Sequence, residues 1–557
     1  MHLPLHGCNR IYNELKGKYS VFKRLLKALA SLYKKRQKKV RNSPAEPVNK
    51  LLISDNLDKN IRYIKTSLGN SPDLIIRKFG IGIKQQIMCA VVHIDGMTDK
   101  GIIGQNVLKN LMIDARLTPP GINEIQGNAF RWIRDSVVSI SEVKEATELK
   151  DVLDAVLSGD TVLMVDGTAR ALIVSTRRWE SRAIEEPLAE ASVRGPRDGF
   201  TEVLKTNITL IRRRIKSPLL RMEQVKIGEI TGTNVVIIYI KGVADDKVVE
   251  EVRRRISKIC VDGILESGYI EELIEDCPIS PFSTIGHTER PDKVAAQLLE
   301  GKVTILCDNT PFALTVPASF NEFLQAPEDY YERYFTGSFT RGLRYISMFA
   351  SLTLPAVWVS IITFHQELIP TPLLLSVAAA REGVPLPAVG EVLLMEFAFE
   401  VLREAGVRLP RPVGGAISIV GGIVIGEAAV QAGIVSAPVV IIVAFTGIAS
   451  YAVAVYPLSI TLRLLRFPLT IAGSILGLYG VMLGLIMIHI HLASLRSFGV
   501  PFLSPISTGS LSDFKDVFVR GPWWMMFKRP QFIGGKNTIR QKRELKPRPP
   551  RNTDNTK

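Results

Sequence analysis

Apolar runs of membrane length crowd the second half of this chain and are missing from the first, and this asymmetry limits the fold more than any motif does. Up to about Arg344, short apolar stretches alternate with Lys, Arg, Asp and Glu. Tyr345–Phe364 (YISMFASLTLPAVWVSIITF) is then uncharged, and at 1.5 Å per helical residue it is long enough to cross roughly 30 Å of hydrocarbon. Val413–Gly433, Ile434–Tyr456 and Pro468–Leu492 follow in the same style. The chain therefore reads as a polytopic, all-α membrane domain behind a large aqueous region. The net charge of +16 over 557 residues is spread across two regimes, which excludes a single-domain reading.

Met1–Ser43 is too basic for a cleavable signal peptide and lacks a sustained apolar core. Val21–Tyr33 places Leu25, Leu26, Leu29 and Leu32 on one helical face, so the leader is either a lipid-touching amphipathic helix or a disordered, solvated arm. Cys8, Cys89, Cys260, Cys277 and Cys307 show no CxxC spacing, and Cys89 and Cys307 sit in apolar strand-like runs. Buried free thiols in a reducing compartment are expected, which places the soluble half in the cytoplasm.

That half carries an internal repeat. Asp151–Thr176 and Asp292–Ala318 each read as an amphipathic helix, a Gly stop, a short strand, a tight Asp-Gly or Asp-Asn turn and a second strand. Gly159 pairs with Gly301, Asp166 with Asp308, and Thr168 with Thr310. Met88–Met112 and Val235–Ile259 match in the same order, as a strand, a Gly turn and an acid-led helix. The spacing predicts an α/β region of two duplicated subdomains, each a small sheet covered by helices.

Neither repeat carries GxxxxGK[ST], GxSxG or His at metal-ligand spacing, so no catalytic residue, metal site or cofactor is expected. The run Arg212-Arg213-Arg214-Ile215-Lys216 complements a helix C-terminus and is read as a solvated or subunit-contacting face rather than as a nucleic-acid site.

Three further stretches carry a family resemblance. GPRDGFTEVLKTNITLIRRRIKSP (Gly195–Pro218), SPFSTIGHTERPDKVAAQLLEGKVTILCDNTPFALTVP (Ser280–Pro317) and APEDYYERYFTGSFTRGLRYIS (Ala326–Ser347) resemble the GerA family of spore germination proteins. The likeness runs from about Ser54 to SDFKDVFVRGPWWMMFKRP (Ser512–Pro530). Locally, Pro291 suits a helix first turn, and Asp292 favours its positive end. Tyr330, Tyr331 and Tyr334 read as an aromatic collar on the approach to the first span.

In the membrane half, Val384–Gly406 differs from its neighbours. At about 100° per residue, Glu396, Glu400, Arg403 and Glu404 share one broad face, with Glu391 near the helix start. Carboxylates within a membrane are costly unless paired or wetted, so this face is either an ion path or an interfacial helix in water. Glu427 follows Gly421, Gly422 and Gly426, which permit close helix contact, and reads equally as packing partner or ion site. Glu391, Glu396, Glu400, Glu404 and Glu427 are the candidate ion-path residues. His489 and His491 diverge on a helix and do not suggest a shared metal.

The basic leader and tail both favour the cytoplasm, which requires an even number of crossings. Counting the carboxylate helix as a span gives five crossings and puts loops bearing Arg403, Arg408, Arg411, Arg463 and Arg466 inside; counting it as re-entrant gives four, the preferred number. The expected layout is a basic leader over 1–50, subdomains over 51–190 and 191–330, a membrane domain over 331–495 and a basic tail over 496–557.

The resemblance implies the A subunit of a nutrient germinant receptor in the inner spore membrane. It also implies a transporter-like B subunit that holds the nutrient, a lipoprotein C subunit, and release of monovalent cations early in germination. A homo-oligomer in membrane lipid would ring a cation path with the carboxylate face. An accessory germination protein of the same family and a secondary transporter are the alternatives.

Overall fold

The computed structural model describes residues 51–547 apart from 82–86, 115–129, 132, 135–142, 179–185, 188–189, 191, 193, 409–423, 508–512, 534, 536 and 543–544. The chain forms two compact units, Met1–Leu52 and Ile53–Lys557, and every element named below lies in the second. The leader with its expected helix Val21–Tyr33, Cys8, Gly421, Gly422, Arg411 and the first part of Val413–Gly433 fall outside the described residues.

The first sheet holds β1 (Leu74–Ile81), β2 (Ile87–Ile94), β3 (Val143–Ala146), β4 (Thr161–Val165) and β5 (Ala171–Val174), in the order β1-β2-β4-β5-β3. All neighbours are antiparallel. Alternation along β2 sends Cys89 and Val91 to one face and Ala90, Val92 and Ile94 to the other. Helices α1 (Leu57–Leu68) and α2 (Leu149–Leu157) cover the second of these faces. A π-helix, Ile103–Asp114, covers the first. The repeat alignment expects an ordinary helix there, as its counterpart in the second half is.

A second sheet follows after α3 (Leu204–Arg214): β6 (Leu220–Ile227), β7 (Thr233–Ile240), β8 (Gly286–Thr288), β9 (Val303–Cys307) and β10 (Ala313–Val316), in the order β6-β7-β9-β10-β8. α4 (Asp246–Ser257) and α5 (Ser267–Ile274) cover one face; α3 and α6 (Pro291–Glu300) cover the other. The two sheets therefore have the same strand order.

They also share bonds. Asp166 Oδ1 accepts the Leu57 N–H at 3.0 Å, and Asp308 Oδ1 accepts the Leu204 N–H at 3.2 Å. Gly167 N–H donates to the Asp55 carbonyl and Asn309 N–H to the Glu202 carbonyl, each at 2.8 Å. Gly167 and Asn309 both sit at positive φ, as these tight turns require.

Arg212 does not lie on a solvated face. Its guanidinium is buried and donates to both Asp73 oxygens at 3.1 Å and to Ser71 Oγ at 2.9 Å, joining α3 to the segment before β1. Arg214 pairs with Asp198. Of the four described cysteines, all free, Cys89 and Cys307 are buried and Cys260 is exposed.

The helical region contains α7 (Tyr334–Phe364), α8 (Thr371–Arg381), α9 (Ala388–Arg408), α10 (Ala437–Tyr451) and α11 (Tyr456–Ser494). By length and composition, α7 and α11 are long and apolar enough to cross a membrane. The expected span Pro468–Leu492 is not one straight helix. Gly477, at φ 62° and ψ −150°, folds α11 back on itself. Its arms meet through glycines: a Cβ on Gly480 would lie 2.2 Å from the Ala472 carbonyl oxygen, and one on Gly484 would lie 2.5 Å from Leu469. Arm 456–476 alone spans about 30 Å at the helical rise.

The base of this hairpin rests on the second sheet's unit, where Thr461 Oγ1 donates to the Pro281 carbonyl at 2.5 Å and His491 Nε2 lies 2.9 Å from Ser280 Oγ. Its tip meets the far end of α7, where Leu478 N–H donates to His365 Nε2 at 3.3 Å. His489 turns away from His491 and contacts the Leu485 carbonyl.

Candidate functional site

Packing first decides where the five carboxylates go. α9 runs parallel to α10, with Glu391 beside Ser436 and Arg403 beside Ser450, and antiparallel to the first arm of α11. Glu391 is fully buried: Ser436 N–H and Oγ donate to Oε2 at 2.8 and 2.7 Å, and Arg381 donates to Oε1 at 3.1 Å. Since Ser436 is the N-cap of α10, Glu391 supplies negative charge at that helix's positive end.

Glu396 is also buried and faces Arg466 at 3.7 Å, and neither carboxylate oxygen has a hydrogen-bond partner among the described residues. Arg466 Nε donates instead to the Ser351 carbonyl of α7 at 2.8 Å, and its Nη2 has no hydrogen-bond partner among the described residues. Glu400 pairs with Arg463 and is about 40% exposed. Glu404 is exposed and pairs with Arg408 one turn along; Glu427 is exposed and accepts from Gln431 at 3.2 Å. Gly426 packs against Val440. The structure thus gathers Glu396 and Glu400 against an arginine ladder and leaves Glu404 and Glu427 outside it.

Arg463 and Arg466 are within α11 and nearly buried, not in a loop as the charge-counting scheme places them. Arg403, also helical, donates to Ser450 and lies over the Tyr451 ring at 4.2 Å. The available signal was R-x-x-R inside an apolar run, matching E-x-x-x-E on a second helix. Buried opposite charges at such spacings find each other because each alone is too costly.

A second constellation ties the α/β region to the helices. Gly337, in the first turn of α7, packs against the Asp329 backbone, which brings Arg341 into register. The fully buried Arg341 donates to Asp329 Oδ2 at 3.1 Å and to both Oδ1 and the carbonyl of Asp516 at 2.8 Å. Arg344 donates to both Asp329 oxygens at 2.8 Å. Tyr330 OH donates to Asp516 Oδ2 at 2.8 Å, and Tyr331 OH donates to Asp292.

These tyrosines therefore turn into the junction instead of forming a collar toward lipid. Burial raises the Asp516 carboxyl above its ordinary value despite Arg341, and it holds the Tyr330 hydroxyl well above the usual tyrosine range. Burial alone would raise Asp292 as well, but Arg290 and Tyr331 hold it low. The arrangement is a rigid charged joint between α6, the start of α7 and the chain after α11. None of Arg341, Asp329 and Asp516 was singled out as a site from sequence. No group of three or more metal-ligating side chains is assembled among the described residues.

Residues 62–532 match the profile of the family described as Bacillus/Clostridium GerA spore germination protein. The chain is 47% identical over 499 residues to spore germination protein KA of Bacillus subtilis (strain 168), covering 90% of each. It is likewise 47% identical over 479 residues to the uncharacterized membrane protein YfkQ of the same organism, covering 86% of this chain and 91% of that one. Among solved structures it is similar to the N-terminal domain of the A subunit of the Bacillus megaterium spore germinant receptor GerK3. That match is 40% identical, covers 48% of this chain and 97% of the other, and has a TM-score of 0.38.

Proposed function

The chain belongs to the Bacillus/Clostridium GerA family of spore germination proteins, and from that premise we propose that it is the A subunit of a nutrient germinant receptor. In this reading it is a multi-pass protein of the inner spore membrane, and copies around an axis form a nutrient-gated path for monovalent cations. Its partners are a transporter-like subunit that holds the nutrient and a lipoprotein subunit.

The observation that carries the path is Glu396: a buried carboxylate with no hydrogen bond among the described residues, 3.7 Å from an arginine whose Nη2 likewise has none among them. Such a pair is poised to exchange partners, because both groups gain from water or a counter-ion. Stacked Glu396 and Glu400 would attract cations and repel anions, while Arg463 and Arg466 neutralise them in the arrangement described. That arrangement is the shut state, and opening separates the two ladders.

The start of α7 and the end of the α11 hairpin both lie against the α/β region, which supports an even number of crossings with both flanks on one side, in this reading the cytoplasmic one. The shared strand order and equivalent Asp166 and Asp308 bonds support an internal duplication, with subdomains near 51–190 and 191–330.

The test is the double variant Glu396→Gln with Glu400→Gln in spores of the source organism, at normal receptor level. Cation release after nutrient addition should slow at least tenfold while the partner still binds nutrient. Unchanged release would return these residues to a purely structural ion-pair ladder.

A further inference from the structure

The base of the α11 hairpin holds a short turn of the second sheet's unit between its two arms. After α5, Ser280 N–H donates to the Cys277 carbonyl at 3.1 Å, closing a turn whose tip is Pro278 and Ile279. Just behind the tip, the Pro281 carbonyl accepts from Thr461 on the first arm, and Ser280 contacts His491 on the second. Cys277 packs against the apolar cluster that the hairpin contributes to. Thr461 lies five positions after Tyr456 and His491 three before Ser494, so at the helical rise these contacts are about 5–8 Å inside the hairpin's base.

Ile279 is 95% exposed, but exposure alone decides nothing, since Ile230 on the turn between β6 and β7 is 82% exposed. Placement decides. Tyr479, Met482, Ile486 and Ile490 recur at helical spacing along the second arm, and all are exposed. That apolar stripe ends at Ile490, next to the His491 that contacts Ser280. Tyr456 at the base and Tyr479 beside the hairpin's tip are both exposed, where tyrosines mark the two headgroup layers of a spanned bilayer. Each layer is about 5–8 Å deep. The turn Pro278–Ile279 therefore sits at the boundary between headgroups and acyl chains.

The two acids before the turn are already partnered. Glu275 accepts the Thr284 N–H at 2.7 Å and its hydroxyl at 3.0 Å. Asp276 pairs with Arg255 at 2.6 Å and also accepts the Phe498 N–H. The exposed tip is thus a proline and an isoleucine, with no charge to desolvate on entering lipid. Arg496, two positions past the end of α11, is exposed and in no ion pair among the described residues, so its guanidinium is free for a lipid phosphate.

We propose that Pro278 and Ile279 form a wedge that inserts at the headgroup–acyl boundary of the bilayer and seats the second sheet's unit on the membrane surface. Because the residues behind the wedge are bonded to both arms of the hairpin, lipid contact there fixes the height at which that unit meets α11. The inference rests on the reading of α11 as membrane-spanning and is independent of the cation path and of nutrient binding.

The experiment places the photo-crosslinking residue p-benzoylphenylalanine at one position at a time in the full-length protein. The protein is held in nanodiscs of phosphatidylglycerol and phosphatidylethanolamine, and lipid adducts are read by mass spectrometry after illumination. Position 279 is compared with Ile486, the mid-arm lipid control, and with Ile230, the aqueous control; all three side chains are exposed, so the larger residue leaves the packing intact. The exposed Pro278 is a second site should the variant at 279 express poorly. Lipid adducts at 279 should approach those at 486 and exceed those at 230 at least about tenfold. Adducts at 486 with 279 no higher than 230, or a cross-link from 279 to another protein chain in place of lipid, would overturn the wedge and leave the membrane reading standing. No lipid adduct at either 279 or 486 would overturn both.

Discussion

Replacing Arg341 with Met would break the joint between the α/β region and α7 while preserving side-chain length. Removing one partner of a buried ion pair generally costs about 3–5 kcal/mol. Asp329 keeps both contacts from Arg344, so only Asp516 is orphaned; it retains the Tyr330 hydroxyl and is 30% exposed on its side chain. These facts discount the figure to about 2–3 kcal/mol.

The loss should depend on pH. Burial already lifts the folded Asp516 carboxyl, and Arg341 is the main group opposing that lift. A carboxyl whose folded pKa lies above its unfolded one contributes stability at low pH and loses it as pH rises, so the R341M deficit grows as pH rises above the ordinary aspartate range. Hydrogen exchange of peptides covering 513–526, in the full chain in detergent, reads the opening free energy of this segment directly. Adding Asp516→Asn to R341M should recover at least about 1 kcal/mol, since it removes the stranded charge. A deficit under about 1 kcal/mol that is flat in pH would refute the reasoning.

Glu300→Gln should raise stability above neutral pH by at most about 3 kcal/mol, and by nothing below about pH 4.5. Burial is the main cause of the raised carboxyl, offset by Arg540 and Lys302 and reinforced by Asp516 and Glu322, and thermal unfolding against pH checks it. Gly477→Ala should destabilise the hairpin by about 1–3 kcal/mol, because its φ and ψ are nearly exclusive to glycine. The new Cβ would also lie 2.9 Å from His365 Nε2; loss of heat stability in detergent is the readout. Asp166→Ala and Asp308→Ala should each cost about 0.5–2 kcal/mol, since each aspartate caps the first turn of α1 or α3 in the same way. Clearly unequal losses would argue against equivalent roles.

What the sequence determined by itself is local. Asp166-Gly167 and Asp308-Asn309 mark hairpin turns because tight turns demand positive φ, and Pro291 opens α6 because its missing N–H is no loss there. The apolar length of Tyr345–Phe364 and the Glu396/Glu400 spacing were legible for the same reason: strand and helix periods are fixed by the backbone. Partner choice was not legible. Arg341 meets Asp516 across 175 positions, Arg466 meets Glu396 across a helix packing, and Arg212 leaves an apparently solvated basic run to be buried against Asp73. Nor could sequence decide Gly477, because glycine serves equally as a close-packing residue in a straight helix and as the hinge of a folded one. Short-range chemistry limits each residue to a few conformations, but which distant charge or surface it meets is set only when all the elements pack at once, and here that packing decides both the arginine ladder and the charged joint.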